Sequence, residues 1–504
     1  MATIAIEQYP KYLALPVGQE IIFTVSENFI VTNEERVKFI AEVYVSQDVQ
    51  ALGLTETRVA TLKTTPNNKG IGMFDLRPII ESYVSPDYLA NGADSINPIP
   101  SSAEFKNEEF NEFKQFPIHI IDQYSLSNKS GVYFKVYFKI EYLVGNAVVV
   151  DTDTRISSEF FGFNGYVSNE DILEGSYGYY GLNLASMGIS PNYLDIIQRA
   201  ATSSFVSEAP TTQYARLTDY GTVAMFNRFN PGDYSFMTAP SGLDNAIGKM
   251  EFKLYPDADA GGTQLGSTFT VVNNNANGGA WLGNVNNNFS KTHQLFYGVF
   301  PANLTGNPNT QWTTHKDDIS SYTVQCLDNY GNALTQLYTI NIICNSSFGY
   351  EGIRLAWLNK WGAWDYYTFN QKSIRSLTTN KTSYTQLSGT WNESRYTPHG
   401  YKRGRKNFRI NSLERITLNT DFLNSDNESK WIEGLLNSPD VYIINGYSLD
   451  AYESSSTTTG IVNKYVEPVI VTTSSITRKT RANDKLIQYT IEIERNKKQR
   501  SQAG

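Results

Sequence analysis

Residues 131–142 alternate without a break. Val132, Phe134, Val136, Phe138 and Ile140 point one way, and Tyr133, Lys135, Tyr137, Lys139 and Glu141 point the other. A period of two sustained this long is a β-strand with one face on a core. Such a strand needs a sheet partner for its apolar face, and the nearest upstream strands lie before residue 50. Residues 37–45 set Val37, Phe39, Ala41, Val43 and Val45 against Lys38, Glu42 and Tyr44, and residues 20–26 align Ile21, Phe23 and Val25. The pattern therefore predicts a sheet joined across about a hundred residues. The outward Tyr and Lys side chains of 131–142 read as a solvated sheet face.

Helix signals are few and short. Asp75 reads as an N-cap with Pro78 in the first turn, ahead of a stripe of Leu76, Ile79, Ile80 and Tyr83. Residues 191–201 follow Ser190 as cap, with Pro191 at the first helical position. Ser425 and Glu428 form a capping box before Trp431, Ile432, Leu435 and Leu436. Helices are thus expected at 76–83, 191–201 and 426–436. From 205 to 350, short apolar runs at 252–255, 269–272, 295–299, 322–327 and 337–343 recur between Asn- and Gly-rich loops, as in a sandwich. Further strands are expected at 441–444, 468–472 and 487–494. The fold class is mainly β and multidomain, with immunoglobulin-like or β-sandwich modules and a few short helices.

At about 150 residues per domain, a chain of 504 residues holds about three domains. Residues 1–85 with 126–166 are expected to form an N-terminal β domain interrupted by an excursion at 86–125. A helical connector is expected at 167–204, a β-sandwich-like middle domain at 205–350, and a C-terminal α+β domain with an aromatic hairpin at 351–504.

Charged residues are only 18% of the chain while aromatics reach 13%, with 33 Tyr and 26 Phe. Lys and Arg total 42 against 50 Asp and Glu, a net charge of −8, which argues against a nucleic-acid binder working through a global positive field. Cys326 and Cys344 are the only cysteines, so no disulfide scaffold or multi-cysteine zinc site is built, and two free buried thiols are expected. The first 23 residues show no basic n-region with an unbroken apolar run, and no stretch approaches about 18 apolar residues. Neither a secretory signal nor membrane insertion is expected.

Chemistry-bearing patterns are weak. The four histidines, His119, His293, His315 and His399, stand at no zinc-ligand spacing, and no G-x-S-x-G or Walker pattern occurs. Glu251, Asp257, Asp259 and Asp365 are candidates for a glycosidase pair, which needs no motif, but turn and cap roles explain them more simply. Asp257-Ala-Asp259 resembles the start of a calcium loop and lacks the distal bidentate Glu. No catalysis, cofactor or metal is expected. The cluster Trp357, Trp361, Trp364, Tyr366 and Tyr367 fits a core or a subunit interface, with stacking on sugar rings as the rival reading. Trp281 stands alone in the low-complexity tract 273–288.

Four segments together resemble a structural protein family of tailed bacteriophages infecting Bacteroidota hosts, crAss-like or related phages. They are VKFIAEVYV at 37–45 with GIGMFDLRPII at 70–80, SEFFGFNG at 158–165, LAWLNKWGAWDYYTF at 355–369, and WIEGLLNSPDVY at 431–442 followed by PVIV at 468–471. Their order spans nearly the whole chain, and 205–300 departs most. The resemblance implies a virion component associated with tail or baseplate, made in the host bacterial cytoplasm. Tail hub, collar, distal-tail ring and head fibre are all compatible positions.

Three readings follow. The first is a homo-oligomeric structural subunit whose partners are itself and other virion proteins, with Trp357, Trp361, Trp364, Tyr366, Tyr367 and Trp281 as candidate interface anchors. The second is a head-fibre or tail adhesin that binds host-surface glycan. The third is a glycan-degrading tail enzyme. Direct nucleic-acid binding is expected in none. The hairpin 355–369 is expected to pack one aromatic face on the 426–436 helix and to offer the other to a neighbouring subunit; the rival is cover by the middle domain of the same chain.

Overall fold

A computed structural model describes residues 3–10, 14–46, 56–89, 117–121, 124–126, 129–167, 201–226, 247–272, 294–306, 309–328, 331–343, 350–387, 389, 393–423, 426–444, 466–476 and 488–495. The architecture is mainly β, with several sheets and only short helices. The expected helix at 191–201 lies outside the described residues except for its last position. Two compact units partition the chain. The first takes residues 1–344, 358–366 and 446–462, and the second takes 345–357, 367–445 and 463–504.

In the first unit, the strand Gly131–Val144 is the centre of a seven-stranded sheet. It pairs antiparallel with Glu35–Ser46, setting Phe39 opposite Ile140, Ala41 opposite Phe138, Val43 opposite Val136 and Val45 opposite Phe134. Thr57–Thr64 pairs outside Glu35–Ser46, and Phe160–Phe163 flanks the other side. A three-stranded sheet of Ala5–Gln8, Ile22–Ser26 and Ile71–Asp75 faces this one. The two inner faces meet through Phe23, 5.7 Å from Phe138 and 5.5 Å from Phe160, and through Phe74, 5.9 Å from Phe138. Gly72 leaves room for Phe39, whose Cδ2 would lie 2.5 Å from an added Cβ.

The opposite face of the large sheet is less solvated than its Tyr and Lys content suggests. Tyr133 and Glu141 are buried and Lys135, Tyr137 and Lys139 only half-exposed. Opposite charges pair across strands: Lys139 and Arg58 on Glu42 at 2.8 and 3.0 Å, Lys63 on Glu141 at 2.5 Å, and Lys135 on Glu56. The Lys139 hydrogen bond, helped by Arg58, holds the Glu42 carboxyl below its usual range against the cost of burial.

The same unit contains a five-stranded sheet of Thr212–Ala215, Tyr338–Ile342, Ser321–Leu327, Lys249–Tyr255 and Leu265–Val272. A three-stranded sheet joins Thr222–Phe226 and Gln294–Gly298 to Tyr124–Leu126. Its third strand comes from the end of the 86–125 excursion and the residue that follows it. Tyr322 connects the two sheets, donating its hydroxyl to the Val299 carbonyl at 2.8 Å.

Three six-residue helices escaped the periodicity reading: Asn28–Asn33, Pro301–Gly306 and Thr310–His315. Their determinants are local. Glu27 accepts from Phe29 and Ile30 backbone N–H, and Asn309 accepts from Gln311 and Trp312. Only four residues, Arg77–Ile80, are α-helical in the 76–83 segment, followed by a 3-10 turn at Glu81–Tyr83. Asp75 ends the preceding strand and accepts from Arg77 N–H at 3.0 Å.

A further seven-stranded sheet has the order Trp364–Phe369, Ile353–Leu358, Val441–Ile444, Val466–Val471, Thr490–Arg495, Gly404–Asn419 and Ile374–Gln386, all of it in the second unit except Leu358 and residues 364–366. The helix Asp426–Asn437 buries Trp431, Ile432 and Leu435, as its stripe predicts; Ser425 lies outside the described residues. Among the described residues, no helix is long and apolar enough to cross a membrane.

Phe138→Ala is expected to cost about 3–5 kcal/mol, because the ring is fully buried between the two facing sheets. Val148→Ala, at a position 65% exposed, should stay within about 0.5 kcal/mol. Urea unfolding of the full chain checks both.

Candidate functional site

The aromatic hairpin was the strongest sequence candidate, and its backbone is a strand pair, Ile353–Leu358 and Trp364–Phe369, around a turn at 359–363. Asn359 organises that turn, its Oδ1 accepting from Trp361 N–H at 3.0 Å and Ala363 N–H at 3.1 Å. Gly362 takes φ +80°, and an added Cβ would stand 2.0 Å from the Asn164 carbonyl oxygen.

Alternation sends neighbouring rings to opposite faces. In the second unit, Trp357 and Tyr367 pack on Trp431 with ring centroids 5.5 and 5.6 Å away. The Tyr367 hydroxyl accepts the Asp421 N–H at 2.9 Å. In the first unit, Trp364 donates Nε1–H to the Asp87 carbonyl at 3.0 Å and meets His119 edge-on at 4.8 Å. The Tyr366 hydroxyl lies 2.9 Å from both His119 Nδ1 and Thr222 Oγ1, and its ring contacts Phe300.

The expectation of an open aromatic face is corrected by this packing. Trp357, Trp361, Trp364 and Tyr366 are at most 4% exposed and Tyr367 is half-buried. Trp357, Trp361, Trp364 and Tyr366 are core residues of their own chain. The cover on Trp364 and Tyr366 comes from their own chain, through Asp87 and His119 of the excursion and Thr222 and Phe300 further on. Trp281 lies outside the described residues.

The carboxylates occupy structured positions. Glu251 pairs with Lys253 at 2.9 Å. Asp259 takes φ +54° in a 3-10 turn, Ala258–Ala260, and exchanges hydrogen bonds with the Asn341 side chain at 2.8 Å, while Ser321 donates to the Asp257 carbonyl. Asp365 is 2% exposed, and its Oδ1 accepts from Ser207 Oγ at 2.5 Å and Asn359 Nδ2 at 3.2 Å. Among the described residues no side chain bonds to its Oδ2. Burial raises its carboxyl to about 7, with Ser207 and Asn359 opposing the rise and Glu208 adding to it. Cys326 is buried, and Cys344 lies outside the described residues. Among the described residues, no group of three His, Cys, Asp or Glu gathers closely enough to hold a metal ion.

A different element stands out for what its side chains do not touch. The strands Ile374–Gln386 and Gly404–Asn419 pair over thirteen registers with one bulge at Thr382/Ser383. At roughly 3.4 Å per residue the ribbon is about 40 Å long. Among the described residues only its root is supported, where residues 415–419 pair with Thr490–Glu494. There the charges are matched: Arg415 with Glu494 at 3.2 Å, Arg495 with Glu414 at 3.0 Å and Glu467 at 2.5 Å, and Arg375 with Glu351 at 2.7 Å. Beyond the root both strands are exposed on both faces. Leu377, Tyr384, Tyr401 and Phe408 are 60%, 45%, 71% and 75% exposed. The strand Ile374–Gln386 is also the edge of its sheet.

Between 374 and 413 the arm carries eight Lys and Arg against one Glu. Its distal cations bond to neutral acceptors: Arg405 to Ser383 Oγ at 2.8 Å, Lys406 to the Tyr401 carbonyl at 3.1 Å, and Arg409 to Asn411 Oδ1 at 3.2 Å. Sequence reasoning missed the arm because its alternation is of polar residues with polar residues. The basic excess was the available signal. No protein-family model matches the chain, and no curated protein is significantly similar to it.

Two outcomes test the site. With Trp361 and Trp364 both replaced by Ser, folded protein should be lost rather than left as an intact protomer, since each buried indole is worth about 3–5 kcal/mol; thermal unfolding reads this. Asp365 holds its proton in the fold to about 7 against 3.8 ordinarily. The stability of the protonated form is therefore fully present below the lower value and is lost as pH rises through the upper one. The wild-type Tm should fall between about pH 4 and about pH 7, and Asp365→Asn should reduce that fall.

Proposed function

We propose that this chain is a structural component of a bacteriophage virion, a homo-oligomeric subunit of the tail, baseplate, collar or hub. The phage assignment is supported by the four ordered sequence signatures, from VKFIAEVYV at 37–45 to PVIV at 468–471. The assembly role is supported above all by one observation: a two-stranded arm whose strands, beyond the root, are exposed on both faces. An isolated hairpin is marginally stable in water and gains stability from a further strand or a covering surface. A long open edge with exposed apolar side chains is also a liability that soluble proteins remove unless it is used.

The buried aromatic hairpin fits the same reading in a different capacity. Its Trp and Tyr side chains consolidate the protomer, which leaves contacts between subunits to other surfaces. Mass spectrometry of gradient-purified particles, from a phage carrying this reading frame, tests the proposal. The protein should be present in fixed stoichiometry to the capsid protein; finding it only in the lysate supernatant would refute the virion role.

A further inference from the structure

We infer that the arm formed by Ile374–Gln386 and Gly404–Asn419 docks on an acidic surface of a second copy of this chain. The inference rests on the reading of the chain as an assembly subunit and names the partner of its arm.

Charge is the first argument. The segment 374–413 is +7 in a chain of net −8, which leaves −15 on the remainder. Beyond the root, Arg405, Lys406 and Arg409 bond to neutral oxygens, whereas the basic side chains at the root are paired with Glu351, Glu414, Glu467 and Glu494. The fold thus pairs its arginines wherever a carboxylate is near, and holds Arg405, Lys406 and Arg409 out on the ribbon beyond that ladder. Another copy brings a net acidic surface at a concentration equal to that of the arm.

The second argument separates a protein partner from a polyanion. Phosphates would satisfy Lys381, Arg405, Lys406 and Arg409, but would leave Ile374, Leu377 and Ile410 in water. They would also leave open the backbone edge of Ile374–Gln386. That edge has no Pro along its thirteen residues, and Lys381 with the bulge at Thr382/Ser383 confines the stretch open to strand addition to residues 374–380. A protein surface covers apolar side chains, neutralises the cations and pairs the edge together. The ribbon is already folded at its root, so docking orders fewer residues than capture of a loose segment would.

The test uses the full-length protein and light scattering after size exclusion, over a range of concentrations at low and high salt. Wild type should assemble at low salt and dissociate toward the 56.6 kDa protomer near about 1 M salt, where the Debye length is only about 3 Å. The triple variant Arg405→Glu, Lys406→Glu, Arg409→Glu should remain a protomer in both conditions with an unchanged Tm, as should a milder Gln triple at low salt. Carbodiimide cross-linking of mixed 14N and 15N wild-type protein should join Lys381 or Lys406 to a carboxylate of the other isotope.

A wild type that stays a protomer throughout, a Glu triple that assembles like wild type, or cross-links confined to one isotope would each overturn the inference. A wild-type protomer that shifts a 20-base-pair DNA duplex, with the shift lost in the Glu triple, would overturn it in favour of a nucleic acid. Failure here with the protein present in purified particles leaves the virion role standing. Arm-dependent assembly by a protein absent from particles removes that role instead.

Discussion

The pairing of Glu35–Ser46 with Gly131–Val144 governs the first sandwich. It brings together segments about a hundred residues apart, and its register decides which side chains face Phe23 and Phe74. A slip of one residue would turn Phe134, Val136 and Phe138 outward and Tyr133, Lys135 and Tyr137 inward. The charge pairs on the outer face reinforce the same register, since Lys139 and Arg58 reach Glu42 only when those strands are aligned as observed. Apolar burial on one face and ion pairing on the other thus select one alignment. The loop-closure entropy of so distant a pairing is lost before these contacts form.

The aromatic hairpin and the arm are opposite solutions to one problem, the stabilisation of two antiparallel strands. In the hairpin the rings are buried within their own units: Trp431 packs on Trp357 and Tyr367 in the second, and His119 and Phe300 pack on Tyr366 in the first. In the arm, alternation places Thr, Ser, Asn and basic residues on both faces, and beyond the root both are exposed. One element stores its binding capacity inside the protomer; the other leaves it available outside.

What was legible in the sequence follows from that contrast. Strands with one apolar face, such as 37–45, 131–142, 322–327 and 441–444, announce themselves because burial writes a period of two into composition. The helix stripe of Trp431, Ile432 and Leu435 does so at its own period. Six-residue helices at 28–33 and 310–315 hang on a single capping side chain and one buried residue, too little for any periodicity. The Leu355–Phe369 aromatics revealed a hairpin but not its cover, because His119, Thr222 and Asp87 approach from distant segments that no local pattern connects. The arm was invisible for the converse reason: neither face is buried, so no apolar period exists to be found.

Net charge misleads in the same way as any average. A value of −8 over 504 residues argues against a diffuse positive field. It does not describe the segment 374–413, a 40 Å ribbon with its connection, which concentrates eight cations beside one carboxylate. Within a Debye length of about 8 Å at physiological salt, a partner senses the ribbon and not the chain. Separating the two signs along one sequence lets the same molecule offer both halves of a contact. Such a contact joins unlike surfaces of identical subunits, which is heterologous, and heterologous contacts propagate into closed rings or open fibres according to the rotation they impose. The arm thereby links a local feature of sequence, a run of lysines and arginines on alternating polar strands, to the symmetry that an assembly of this chain would have.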